Sequence, residues 1–381
     1  MARPSPTLCA QALFCLIVLV SLWLLSYFPS STPFSTSQLP HPLISLTSTP
    51  ARLHTTLPPT LWSLVRQSHP PRRIRVYLHL TNGVEFVPDE GPATKFLPAL
   101  RAAFSLASST SNPAILHDPI LVCDDDHIYT PVLVETLVKA WVERKGEAAV
   151  GLRGWRVRED LKWGVSGLAE VRRHVVEAWR LKEPYRVGVL TANEGYLIAP
   201  FFFLPLFTRT HLSSQNLSTL PSLSPLLSPA SNAPSSLHLV DDILLSGSLS
   251  LSSVPRYIVP LRAPEPPNVD ITPRATEAEE EAGAPRSPVE KHLKEHGKSR
   301  GEANDEALAW FGEAWARERD EEVAGGGKLW FDMRSEVERR KDGWPGEPGW
   351  AAAGRRAWSQ VSKWAFYKRA QRRWGEVVCW N

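Results

Sequence analysis

Between Pro4 and Ala51 the chain contains no aspartate, glutamate, lysine or arginine. That stretch cannot supply ionic or acid–base chemistry, so any charged site must lie farther on. Cysteine is scarce as well, with four in 381 residues. Cys9 and Cys15 fall inside the uncharged stretch, which leaves Cys123 and Cys379, too few for a disulfide framework. The two could still pair in an oxidising lumen, or Cys123 could simply be buried at its strand end. A large charge imbalance is also missing. The formal net charge is +3, which gives no basis for nucleic-acid binding.

What the uncharged stretch does contain is "LCAQALFCLIVLVSLWLLSYF", Leu8–Phe28. Its length matches a helix that spans a hydrocarbon core. A cleaved signal peptide is the competing reading. Its apolar part is shorter and no clean small-x-small site follows, although "PSSTPFS" keeps that option open. Arg3 precedes the run, so the positive-inside bias puts the N-terminus in the cytosol. The expectation is a single-pass type II protein of the secretory route, its bulk lumenal or extracellular. A sequon at Asn216 agrees with a glycoprotein on that route.

The 34 prolines crowd the N-terminus, residues 220–235 and the chain after residue 259, which should be poorly regular. The expected organisation is a cytosolic tail 1–7, an anchor 8–28 and a stem 29–41, then a domain 42–262 with a flexible insert at about 212–236. A disordered charged linker 263–302 and a helical, Trp-rich extension 303–381 complete it.

Within 42–262, strand and helix patterns alternate, which argues for an α/β fold. Leu43–Leu46 reads as a strand that turns at Pro50. Pro59–Ser68 reads as a helix with Leu61, Leu64 and Val65 at helical spacing. "RRIRVYLHL" alternates as a strand, and "ATKFLPALRAAFSLA" is helical with a kink expected at Pro98. "PILVC" is apolar on both faces, as in a parallel strand covered by helices. The following helix is expected to take Thr130 as N-cap, Pro131 in its first turn and Gly146 at its end.

Asp124, Asp125 and Asp126 lie between that strand and that helix. Two like charges ~4 Å apart repel by several kcal/mol even at an effective dielectric of about 20. Water must solvate them or a cation must neutralise them. In open α/β sheets, ligands collect at the carboxyl ends of strands. On an extended backbone Asp124 and Asp126 point to one side and Asp125 to the other. Two such oxygen donors suit Mn²⁺ or Mg²⁺. A solvated acidic loop is the plainer alternative.

A second pair, Asp241 and Asp242, precedes Ile243–Leu251. Either acid could cap that segment, or the pair could act in catalysis or substrate binding. Arg153 and Arg156 of "GLRGWRVRED" could reach a phosphate or an acceptor, or could be solvated. Farther on, "NDEALAWFGEAW" puts Leu308, Phe311 and Trp315 on one helical face, expected to pack on the domain. The basic stretch "RRAWSQVSKWAFYKRAQRRW" could lie on a membrane or pack on the domain. "HLKEH", His292 to His296, formally fits a zinc-peptidase pattern, but its surroundings lack the apolar residues of a dry site.

Taken in order, "ISLTSTPARL", "TLWSLVRQSHPPRRIRVYL", "GPATKFLPAL", "CDDDHIYTPVLVETLVKA", "GLRGW" and "VDDILLSGSL" resemble the GT-A-fold glycosyltransferases. The likeness is to the family 2-like members of the nucleotide-diphospho-sugar transferase superfamily. The order DDD then DDI also resembles the exostosin-like enzymes. It covers roughly Leu43 to Leu261.

The resemblance implies a Rossmann-like, mostly parallel mixed sheet flanked by helices. It implies a hexosyltransferase-type enzyme that moves a sugar from a nucleotide-sugar donor to a glycan, protein or lipid acceptor, with Mn²⁺ or Mg²⁺. Carried over, Asp126 holds the metal, Asp124 shares the ion or contacts the ribose, and Asp125 assists. The loop Thr47 to Arg52 meets the base and Lys95 approaches the nucleotide or its phosphates. Asp242, with Asp241 beside it, faces the acceptor or the reacting sugar. The Q-x-x-R-W element of processive family 2 synthases is missing, since "QRRW" at Gln371 is one residue short. The alternative is a membrane-anchored GT-A-like module that binds without turnover.

Overall fold

β1, Leu43–Ser48, is apolar at alternate positions and still buried on both faces, so it must sit inside a sheet. The computed structural model places it there, between β2 (Arg73–Leu78) and β3 (Ile120–Val122), parallel to both. The structure describes residues 39–78, 91–158, 160–163, 175–204, 234, 237, 239–261, 268–272, 293 and 297–324. The expected anchor, insert and basic C-terminal stretch, with Asn216, His292, His296 and Cys379, lie outside the described residues. Among the described residues no helix is long and apolar enough to cross a membrane.

In chain order, α1 is Leu57–Val65, α2 Leu97–Ser109, β4 His127–Ile128 and α3 Leu133–Glu143. Six short strands follow: β5 (Ala149–Gly151), β6 (Arg153–Trp155), β7 (Val175–Glu177), β8 (Tyr185–Arg186), β9 (Val189–Leu190) and β10 (Tyr196–Ile198). Then come α4 (Asp241–Leu251), β11 (Arg256–Ile258), β12 (Val269–Asp270), α5 (Arg300–Trp310) and α6 (Gly312–Ala324).

The main sheet has the order β2-β1-β3-β10-β5-β11-β8. β1, β2, β3, β5 and β11 run one way, while β10 and β8 run against them. The fold is thus mixed α/β with a mostly parallel central sheet, as expected. β3 differs in one respect: its second neighbour, β10, is antiparallel. Two smaller sheets complete the set, β7-β6-β9 and β12-β4.

Three local expectations are corrected. Pro98 does not kink α2 but sits in its first turn, where its missing N–H falls among amides that have no helical partner anyway. Thr130 does not cap α3. The helix starts at Leu133 without an N-cap side chain, and its Val134 amide donates instead to Gln67 Oε1 at 3.0 Å. Gln67, two residues beyond α1, donates to the Ser63 carbonyl of that helix at 3.0 Å and to the Thr130 carbonyl at 2.9 Å, and so ties α1 to the start of α3. Gly146 does close α3, with φ at +72° and its amide on the Trp141 carbonyl. On α1 itself, Leu64 is buried but Val65 is 63% exposed and adds nothing to the apolar face.

The C-terminal segment forms two helices that break at Phe311. Leu308, Phe311 and Trp315 are all buried. The Phe311 ring lies over Gly247 of α4, where an added Cβ would overlap it. Gly247→Ala is therefore expected to destabilise by about 1–3 kcal/mol through overpacking, read as a lowered denaturation midpoint. An unchanged midpoint would show that the ring can move aside.

A buried ion network fastens α6 to the sheet. Glu318 accepts from Arg256 at 2.5 Å, Arg186 at 2.7 Å and Ser250 at 2.6 Å. Arg256 is fully buried under the Trp315 ring, and its guanidinium lies 5.3 Å from the ring centre.

Candidate active site

β2 leaves β1 on one side and β3 pairs on the other, so the carboxyl ends of β1 and β3 flank a point where the strand order reverses. Such a point opens a crevice. Ser48 ends β1 there, and Cys123 to Asp126 follow β3. Cys123 is buried, as the apolar strand end suggests, and burial raises its thiol pKa.

The three acids divide their duties. Asp125 is turned inward, its side chain 4% exposed; it accepts from Ser48 Oγ and Arg52 Nη1, both at 2.5 Å. Burial outweighs these partners and raises its pKa. Asp126, 14% exposed, takes Arg52 at 3.3 Å, His127 Nδ1 at 2.7 Å and the Thr272 hydroxyl at 3.1 Å. Burial would raise its pKa, yet the hydrogen bond and charge of His127, with Arg52, hold it down at about 2. Asp124, 28% exposed, takes Lys95 Nζ at 2.5 Å. Asp124 and Asp126 thus keep some side-chain surface exposed while Asp125 serves the framework.

Lys95 is buried and joins the two acid groups, since its amine also lies 2.7 Å from Asp241 Oδ2. Burial disfavours its charge, but Asp124 and Asp241 overcome that and raise its pKa well above the ordinary lysine value. Asp241 and Asp242 open α4, and neither caps it. Asp242 instead accepts from the Ala192 amide at 3.2 Å. Burial, then the neighbouring Asp241, push its pKa up to about 7. Tyr196, at the start of β10, is fully buried with its hydroxyl lacking a partner among the described residues. It feels Lys95, Asp242, Asp241 and Asp124 electrostatically.

Of the expected site residues, Arg52, Lys95, Asp124, Asp125, Asp126, Asp241 and Asp242 come together. Thr47 does not join them, because its hydroxyl donates to the Tyr77 carbonyl on β2 at 3.0 Å. Its neighbour Ser48 faces the acids instead. Ser48, His127, Thr272 and Asn268 are further members that no sequence motif marks. Asn268 accepts from the Thr130 amide at 2.7 Å and donates to the Glu194 carbonyl at 3.0 Å, which seats the loop beside Asp126.

Among the described residues no three His, Cys, Asp or Glu side chains converge as a ready-made metal cage. Small hard cations in diphosphate sites commonly take one or two carboxylates, with phosphate and water completing the shell. Asp124 and Asp126 fit that part. Five carboxylates face two permanent cations and one histidine, so the cluster retains excess negative charge that a divalent ion would offset. No protein-family model matches the chain, and no curated protein matches it.

Proposed function

We propose that this chain is a metal-dependent glycosyltransferase that moves a hexose from a nucleoside-diphosphate donor to a glycan, protein or lipid acceptor. The observation that carries the reading is the convergence of five carboxylates, Lys95 and Arg52 at a strand-order reversal. A GT-A-like domain over residues 42–262 and an anchor over 8–28, lumenal in the Golgi or endoplasmic reticulum, complete the proposal.

Mn²⁺ or Mg²⁺ held by Asp124 and Asp126 would act as a Lewis acid toward the departing diphosphate. The chain's own residues prepare that event. Arg52, locked by Asp125 and Asp126 and 28% exposed, offers a fixed cation at the mouth of the crevice. Lys95 is held by two carboxylates, so its charge is in place before the donor arrives. With a pKa of about 7, Asp242 can exchange a proton near neutrality. In an inverting reaction it takes the acceptor hydroxyl proton; in a retaining one it orients the acceptor or stabilises an oxocarbenium-like state.

The test is equilibrium binding of UDP and GDP to the purified protein with and without Mn²⁺. Binding is expected with the ion and not without it, and slow hydrolysis of the matching sugar donor is expected too. Asp124→Asn and Asp126→Asn should each weaken binding at least about tenfold, a loss of ~1.4 kcal/mol. Nucleotide binding that ignores the ion, or no binding at all, favours a non-catalytic module.

A further inference from the structure

We propose that Arg153, Trp155 and Trp163 form a carbohydrate-binding platform beside the acid cluster. Naming its occupant the acceptor rests on the glycosyl-transfer reading; the platform itself does not.

Residues on a strand alternate between faces. Gly154 faces the core, where an added Cβ would meet the Val189 carbonyl, Ile258 and Val187. Arg153 and Trp155 therefore share the opposite face of β6, and both are half-buried. The Trp163 ring tilts onto Trp155 at 39°, with 4.5 Å between ring centres. The Trp163 backbone amide donates to Asp305 of α5 at 2.5 Å, which anchors this residue's main chain. The Arg153 guanidinium lies 5.6 Å from the centre of the Trp155 ring. Among the described residues it makes no hydrogen bond and no ion pair. A half-buried cation without an anion beside a rigid indole pair is a poor stabiliser of the fold and a good recogniser.

The platform is tied to the acids by the backbone. The Arg153 carbonyl accepts from the Thr191 amide at 3.1 Å. The next residue, Ala192, donates to Asp242 and accepts from the Asp124 amide at 3.3 Å. Arg153 is the near end, and Trp155 lies about 7 Å farther along β6. A chain of sugar rings starting at Asp242 would run outward across both. The electron-rich indole faces suit the C–H faces of pyranose rings, and the guanidinium suits their hydroxyl or carboxylate oxygens.

The experiment is saturation-transfer NMR on the full chain with chitotriose, cellotriose and trigalacturonate as probes, and UDP with Mn²⁺ as a control ligand. At least one trisaccharide is expected to bind. Trp155→Ala and Arg153→Gln should each weaken it about tenfold or more, Trp155→Phe should largely retain it, and UDP affinity should not change. The platform is overturned if no trisaccharide binds, or if the bound one ignores Arg153→Gln and Trp155→Ala. It is also overturned if these variants lose UDP instead, which would make the indoles a nucleobase site. Saccharide binding without any nucleotide binding in the parent protein would sink the transferase reading and leave the platform standing.

Discussion

Lys95→Ala is expected to destabilise the protein by about 3–5 kcal/mol, because it strands a buried carboxylate without its cation. Asp241 is 3% exposed and loses its ion pair outright, whereas Asp124 keeps some access to water. The variant should also become unusually responsive to divalent ions. Mn²⁺ at 100 times its dissociation constant would restore about 2.7 kcal/mol by mass action. Thermal denaturation of both proteins with and without Mn²⁺ reads the two effects together. A variant that melts with the parent protein and ignores the ion would mean that the amine does not neutralise these acids, and the electrostatic account of the cluster would fail. If the glycosyl-transfer proposal holds, Lys95→Ala should also lose donor turnover, since the fixed cation is gone.

Glu318→Gln should have a comparable effect outside the acid cluster. It leaves Arg256, fully buried, beside Arg186 with no anion between them. Breaking one partner of such a pair costs about 3–5 kcal/mol, although replacing the whole set by apolar residues of equal volume can be neutral. The pH dependence has a definite sign. Burial would raise the Glu318 pKa, but Arg256 and the hydrogen bonds from Ser250 and Arg256 lower it below its ordinary value. A depressed carboxylate pKa contributes stability above its unfolded value, about 4.3, and loses it as the pH falls through the folded one. The gap in denaturation midpoint between parent and Glu318→Gln is thus expected to be full at neutral pH and to close below about pH 4. A gap that persists in acid would assign the loss to packing rather than charge.

Much of the architecture was legible because it rests on periodicity. The alternation in Leu43–Ser48 and the unbroken apolar run before Asp124 locate β1 and β3. Acids at the end of a buried strand then point to a crevice. What escaped was polar and long-range. Thr47 and Ser48 are chemically alike and adjacent, and strand alternation sends one to β2 and the other to Asp125. Composition alone cannot say which. Thr130 carries every local sign of a cap, yet Gln67 caps α3 from the loop after α1. Glu318 looks like one more surface acid in a charged helix, and its partners lie on β8, β11 and the end of α4. A single-residue contact over such sequence distance leaves no periodic trace.

The thiol of Cys123, sealed at the end of the interior strand β3 beside Asp124, has a practical consequence. A maleimide cannot reach it until β3 separates from its neighbours. With the other three cysteines replaced, the rate of labelling becomes a clock for opening of the sheet at its middle. Any ligand that grips the crevice should slow that clock, whatever its chemical identity.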